Sequence, residues 1–153
     1  MKTGLLGRKL AHSYSPQIHS YLGEYSYELF ERESDELDSF FQNSKFDCIN
    51  VTIPYKKDVM PYCTELTDCA KKMGAVNTIV RRPNGSLIGH NTDYFGLHYT
   101  FQKMGILLQD KKVLVLGSGG ASVTTVIVLQ ELGANVVIIS RTGKNNYNNL
   151  HLH

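Results

Sequence analysis

Lys56 closes the segment Asn50-Val51-Thr52-Ile53-Pro54-Tyr55-Lys56, and Asp93 closes Gly89-His90-Asn91-Thr92-Asp93. Each segment runs from an apolar stretch through short polar side chains to a titratable group. A lysine and an aspartate presented in this way make a proton donor and its partner for a small polyhydroxylated substrate. Ser13 and Ser15 stand two residues apart in His12-Ser13-Tyr14-Ser15-Pro16. In an extended segment their hydroxyls point the same way. They lie just before a predicted helix N-terminus, where backbone N–H groups and the dipole favour an anion such as a carboxylate. Asn50 and Thr52 share one face of a strand end. Asn77, in Ala75-Val76-Asn77-Thr78, is carried toward Asp93 by a predicted hairpin, so both can address sugar-like hydroxyls.

A second kind of chemistry follows along the chain. Leu116-Gly117-Ser118-Gly119-Gly120-Ala121-Ser122 comes after an apolar strand and before a helical run, the context a dinucleotide-binding turn requires. Ser122 replaces the third glycine and is still small. After the next strand comes Ser140-Arg141-Thr142. An acidic residue there would hold the ribose 2′-hydroxyl of NAD, whereas an arginine suits the 2′-phosphate of NADP. A polar site joined to a phosphate-binding turn points to hydride transfer from a nucleotide cofactor. Taken singly, each cluster has a plainer reading. Ser15 serves as an N-cap, Lys56 is solvated beside Lys57, and Asn, Thr and Asp favour turns.

The elements that must position these residues are legible in outline. Thr3 to Gly7 and Asp47 to Ile53 read as buried strands, and Tyr25 to Glu31 alternates as a third. Ser15-Pro16 opens a helix to about Leu22, with serine as cap and proline in the first turn. Asp35 to Phe41 and Thr67 to Met73 are short helices, the latter capped by Thr67 and stopped by Gly74. Pro54 is expected to launch a helix with Lys56 in its first turn, where the positive end of the dipole lowers a lysine's pKa. Ala75 to Arg82 and Ser86 to Gly89 form a hairpin about Pro83-Asn84-Gly85. Thr92 or Asp93 caps a helix reaching Met104. Lys112 to Leu116, Gly119 to Leu132 and Asn135 to Ser140 make a β-α-β unit.

The bulk numbers set the class. The chain has 153 residues, 42% apolar, with sixteen Lys+Arg against fourteen Asp+Glu. That balance implies neither nucleic acid nor an anionic membrane as a partner. No apolar run is long enough for a signal peptide or a membrane span. Cys48, Cys63 and Cys69 are odd in number and form no CxxC. They read as reduced thiols of a cytoplasmic protein, and no metal site is expected. His151 and His153 at the chain end read as incidental.

Together these segments resemble the shikimate dehydrogenase family, in the right order from Gly7 to Thr142. The resemblance implies an α/β fold. A three-layer substrate domain on a mostly parallel sheet, residues 1–92, is followed by a connector helix and the first β-α-β of a Rossmann NADP-binding domain, residues 93–153. It implies that Ser13, Ser15 and Thr52 hold the substrate carboxylate, with Asn50 beside them, and that Asn77 and Asp93 bind ring hydroxyls. Lys56 and Asp93 become the catalytic pair. Gly117, Ser118, Gly119, Gly120 and Ala121 cradle a pyrophosphate, and Ser140, Arg141 and Thr142 lie at the adenosine 2′-phosphate. Two positions depart from the family pattern: Ser140 where asparagine is usual, and Asn145 where a second arginine is common, with Lys144 beside it. The implied reaction is NADP-dependent reduction of 3-dehydroshikimate to shikimate. Rival expectations are a quinate/shikimate dehydrogenase and a non-catalytic ligand-binding fragment. The chain reads as the first part of such an enzyme and is expected to be inactive alone. Its uncovered sheet edge admits a homodimer.

Overall fold

The computed structural model describes residues 1–152; His153 lies outside the described residues. The chain divides into two compact units, residues 1–91 and the residues from Thr92 onward. The first unit runs β1 (Lys2–Gly7), α1 (Ser15–Ser20), β2 (Ser26–Glu31), α2 (Leu37–Asn43), β3 (Cys48–Val51), β4 (Glu65–Leu66), α3 (Asp68–Met73), β5 (Thr78–Arg81) and β6 (Leu87–His90). Its sheet has the order β2-β1-β3-β5-β6-β4. Strands β2 and β3 flank β1, both parallel to it. β5 returns antiparallel to β3, β6 antiparallel to β5, and β4 is parallel to β6.

Period-2 alternation separates the two faces of this sheet. Leu6, Ile49, Val51, Ile79 and Leu87 point to one face, where they bury against Leu37, Phe40 and Phe41 of α2 and Ala70 of α3. Each fully buried aliphatic or aromatic side chain there contributes about 1.5–3 kcal/mol. The opposite face carries a row set by the strand register: Leu29, Leu5, Asn50, Thr78 and His90. It mixes apolar and polar side chains, and α1 packs beside it against β2. The helix stop at Gly74 (φ 59°) and the hairpin turn at Gly85 (φ 86°) both use the left-handed conformation that glycine adopts freely. Thr67 accepts the Ala70 amide at 3.3 Å as the cap of α3.

The second unit contains α4 (Asp93–Lys103), β7 (Lys112–Leu116), α5 (Ser122–Glu131) and β8 (Asn135–Ile139). β7 and β8 pair in parallel from Lys112↔Asn135 to Leu116↔Ile139. Leu108, Leu129 and Ala134 form its core with Phe101, Val113 and Val136. The Tyr94 hydroxyl donates to Glu131 Oε2 at 2.6 Å and ties α4 to α5. This parallel β-α-β fits the start of a Rossmann unit, and the first unit is a mixed α/β domain. No helix among the described residues is long and apolar enough to cross a membrane.

Three local expectations are corrected. Residues 54–59 form successive turns ahead of a 3-10 turn at Met60–Tyr62, and no α-helix opens at Pro54. One i→i−4 bond, Val59 N to Tyr55 O at 3.0 Å, is the helical hydrogen bond there. Pro61 then interrupts the N–H ladder that a helix would continue. The helix end assumed beneath Lys56 is therefore absent, and the dipole argument falls with it. Ser15 is the first residue of α1 with Tyr14 at the N-cap position, so Ser15 is not the cap. Helix α5 begins at Ser122, not Gly119, because the glycines extend as a loop.

Candidate active site

Ser13, Ser15 and Thr52 meet at one cleft of about 470 Å³, floored by Leu5 and Leu10 and edged by Lys9, Ala11 and His12. The first two leave the C-terminal end of β1, and Thr52 leaves the C-terminal end of β3. The two strands are neighbours, and the Thr52 amide donates to Leu6 O at 2.9 Å, one step past the last strand residue. Ser13 Oγ accepts the Ser15 amide at 3.2 Å. This serine turn leads the chain into α1 and keeps the two hydroxyls on one side. Lys9 supplies the nearby positive charge.

Asn50, half-buried on the cleft face of β3, is held at both ends of its amide. Tyr27 Oη donates to Asn50 Oδ1 at 2.8 Å, and Asn50 Nδ2 donates to Thr78 Oγ1 at 3.2 Å. Thr78 Oγ1 in turn reaches Asn77 Oδ1 at 3.2 Å. Tyr27 lies beside Ser15 of the cleft. Burial pushes its phenol up to about 12, and the Ser15 contact acts the other way. One chain of polar side chains thus runs from the serine cleft to Asn77. Sequence reasoning named its ends and missed Tyr27 and the role of Thr78. Tyr27 lies on β2, two strands from Asn50, so only the sheet register brings them together.

The Lys56 segment is fixed by its backbone. Lys56 O accepts the Val76 amide at 2.7 Å, and Val51 N donates to Asn77 O at 2.8 Å. Tyr55, fully buried, donates to Arg32 O at 2.6 Å and receives Arg8 Nε at 3.4 Å. Lys56 and Asn77 are thereby set on adjoining backbone of the first unit. Asn91, 1% exposed, donates from Nδ2 to Ala75 O at 3.1 Å, which anchors the end of β6. Asp93 belongs to the second unit, where it is the first residue of α4 with Thr92 at the N-cap position.

In the second unit the glycine turn and Ser140-Arg141-Thr142 rise from the same end of the parallel pair, after Leu116 and Ile139. Gly117 has φ 120°, and its amide donates to Ile139 O at 2.8 Å. Gly119 and Gly120 have open space where a Cβ would sit. A phosphate group approaches such a backbone closely because no side chain stands in the way. Ser118 and Ala121 complete the turn, and Ser122 Oγ closes it on Gly119 O at 2.6 Å. Arg141 and Thr142 are exposed, and Ser140 is held through its amide by Asn145 O at 3.1 Å. A bare glycine turn with an exposed guanidinium at the neighbouring strand end fits a phosphorylated dinucleotide.

Residues 5–79 match the family model of the shikimate dehydrogenase substrate binding domain. A shikimate dehydrogenase (NADP(+)) of Clostridium beijerinckii is 41% identical over 152 residues, covering 94% of this chain and 56% of that protein. The crystal structure of shikimate dehydrogenase 1 from Peptoclostridium difficile superposes with a TM-score of 0.88 at 36% identity, over 98% of this chain and 62% of that one. The Thermus thermophilus enzyme, solved in complex with NADP(H) and shikimate, gives a TM-score of 0.82 at 32% identity, over 93% of this chain and 56% of that one. The chain thus spans little more than half the length of the relatives it matches, yet the match runs through both its units. In fold and in sequence, the chain is similar to shikimate dehydrogenases through both its units.

Proposed function

We propose that this chain supplies the substrate site and the pyrophosphate turn of an NADP-dependent shikimate dehydrogenase, which reduces 3-dehydroshikimate to shikimate. The observation that carries the reading is the convergence of Ser13, Ser15 and Thr52 on one cleft beside Lys9. Three hydroxyl donors and a cation suit a carboxylate, since hydrogen bonds to a charged acceptor are the stronger kind. Asn50 stands beside that cleft, and Asn77 and Asp93 take ring hydroxyls. The domain division follows the same logic, with residues 1–92 for substrate and 93–153 for cofactor.

NADPH, when bound, supplies the hydride. Gly117 to Ala121 would hold its pyrophosphate, and Arg141 and Thr142, beside Ser140, its 2′-phosphate. Lys56 and Asp93 act on the oxygen of the carbonyl under reduction. Lys56 gives the proton as negative charge grows on that oxygen, and Asp93 orients the reacting group. A positioned proton donor of this kind is worth about 10²–10⁴ in rate.

The test is calorimetric titration of the chain with shikimate, alongside Thr52→Val and Ser15→Ala. Binding by the wild-type chain that both substitutions weaken supports the reading. A wild-type chain that binds shikimate no better than either variant overturns it.

A further inference from the structure

His19 has no role in the site as read so far. It lies on α1 one helical turn beyond Ser15, on the same side of the helix. Its ring stacks on the ring of Tyr27, with centroids 3.8 Å apart and planes 18° apart. Its Nδ1 shares a hydrogen bond of 2.7 Å with the Tyr25 hydroxyl, and the Tyr25 ring meets it edge-on. The imidazole is therefore fixed twice, by the hydroxyl at its edge and by the phenol under its face.

The consequence lies in proton directions. A phenol has one proton to donate. Tyr27 gives it to Asn50 Oδ1. That commits the Asn50 amide to one orientation, with Nδ2 toward Thr78. The Thr78 hydroxyl, receiving Nδ2, donates onward to Asn77 Oδ1. The placement of the first proton thus sets the sense of the bonds that follow. A tilt of the Tyr27 ring would release Asn50 and every bond after it.

We propose that His19 is a positioning residue for the substrate site: by clamping the Tyr27 ring it fixes the hydrogen-bond polarity of the Asn50–Thr78–Asn77 chain. Its effect on substrate rests on the shikimate reading above; its effect on Tyr27 does not. An aromatic stack of this geometry corresponds to about three- to tenfold in an equilibrium constant.

The experiment uses the full chain in five forms: wild type, His19→Ala, His19→Phe, Tyr27→Phe and His19→Ala/Tyr27→Phe. Shikimate affinity is measured by calorimetry, and the Asn50 side-chain amide and Tyr27 ring resonances by NMR. His19→Ala is expected to weaken shikimate about three- to tenfold and to shift both resonances. His19→Phe, which keeps a ring to stack, should restore most of both. In the Tyr27→Phe background, His19→Ala should cost nothing further, because a residue acting through Tyr27 has nothing left to act on. Equal losses in both backgrounds, or an Asn50 amide unmoved in a natively dispersed His19→Ala spectrum, would overturn the proposal. A wild-type chain that does not bind shikimate sinks the substrate reading instead, and the two resonances then decide the role of His19 alone.

Discussion

Gly7→Ala is the sharpest probe of how the fold holds the cleft. Gly7 ends β1 with its Cα facing the first residue after β3. A Cβ there would sit 2.6 Å from Leu10 Cδ2, 2.8 Å from Thr52 Cγ2 and 3.4 Å from the Ile53 carbonyl oxygen. Carbon atoms rest at about 3.5–4.0 Å, so the Thr52 methyl must retreat by roughly 0.7–1.2 Å. Leu10 is only 3% exposed and cannot swing into solvent. The Thr52 amide is tied to Leu6 O at 2.9 Å, so the side chain must rotate instead of following the backbone outward. Overpacking of this kind costs about 1–3 kcal/mol. With a urea slope near 2 kcal/mol per M, the midpoint should fall by roughly 0.5–1.5 M. Rotation also withdraws the Thr52 hydroxyl from a bound carboxylate. A hydrogen bond to a charged group contributes about 1.5–3 kcal/mol, so shikimate affinity should drop roughly ten- to a hundredfold. Ile49→Val is the control. Ile49 points to the other face of the same sheet, and its truncation costs about 0.5–1.5 kcal/mol of stability without touching the cleft. Both variants are assayed by urea titration and by calorimetry with shikimate under conditions where each is folded. If Gly7→Ala binds shikimate as wild type does, the cleft does not depend on Thr52 and the reasoning fails.

Lys56→Ala should lower kcat of the active dehydrogenase about 10²–10⁴-fold with little change in substrate affinity; an unchanged kcat would return Lys56 to the surface lysines. Arg141→Asp should reverse a preference for NADPH over NADH, read as the ratio of kcat/KM values, and a wild type that already prefers NADH would refute the role given to Arg141. Alkaline pH should destabilise the first unit in two windows. The half-buried Tyr27 phenol is raised from its ordinary value near 10 to about 12, so the folded chain holds its proton more tightly than the unfolded one. Its contribution is whole below pH 10 and is lost as pH climbs to 12. That loss amounts to roughly 1–2 kcal/mol once its solvent-facing half is discounted, and Tyr27→Phe should abolish it. Cys63, pushed by burial from 9 to about 11, adds a similar fall between those values that Cys63→Ala should remove. Urea midpoints across that range check both, and a flat profile in wild type would contradict the burial argument.

What could be read from the sequence was whatever depends on neighbours along the chain. Thr67 and Gly74 bracket α3, and Asn84-Gly85 turns the hairpin, because capping and left-handed turns need one residue each. Ser13 and Ser15 were placed by the helix start beside them, and Thr52 by the strand end it follows. What depends on register was hidden. Tyr27 meets Asn50 across an intervening strand, and His19 meets Tyr27 from a helix, with nothing local to mark either. The helix expected at Pro54 failed differently. Lys56, Lys57 and Val59 have helical spacing, but Pro54 and Pro61 lie seven residues apart and leave space for one turn only.

The strand order explains why the cleft forms where it does. From β1 the chain passes through α1 to β2 on one side, then through α2 to β3 on the other side of β1. Right-handed crossovers in opposite directions place α1 and α2 on opposite faces of the sheet. The Phe40 ring of α2 accordingly packs on the core face, while His19 of α1 stacks over Tyr27 on the other. The loop leaving β1 and the loop leaving β3 therefore diverge, and a crevice opens between them at the carboxyl ends of two parallel strands. The walls of that gap are side chains carried by the two connections. Here they are Ser13 and Ser15 from one loop and Thr52 from the other, over a floor of Leu5 and Leu10. Apolar residues at those three positions would leave the same crevice without hydroxyl donors. The fold supplies the opening, and three hydroxyls give it a polar wall.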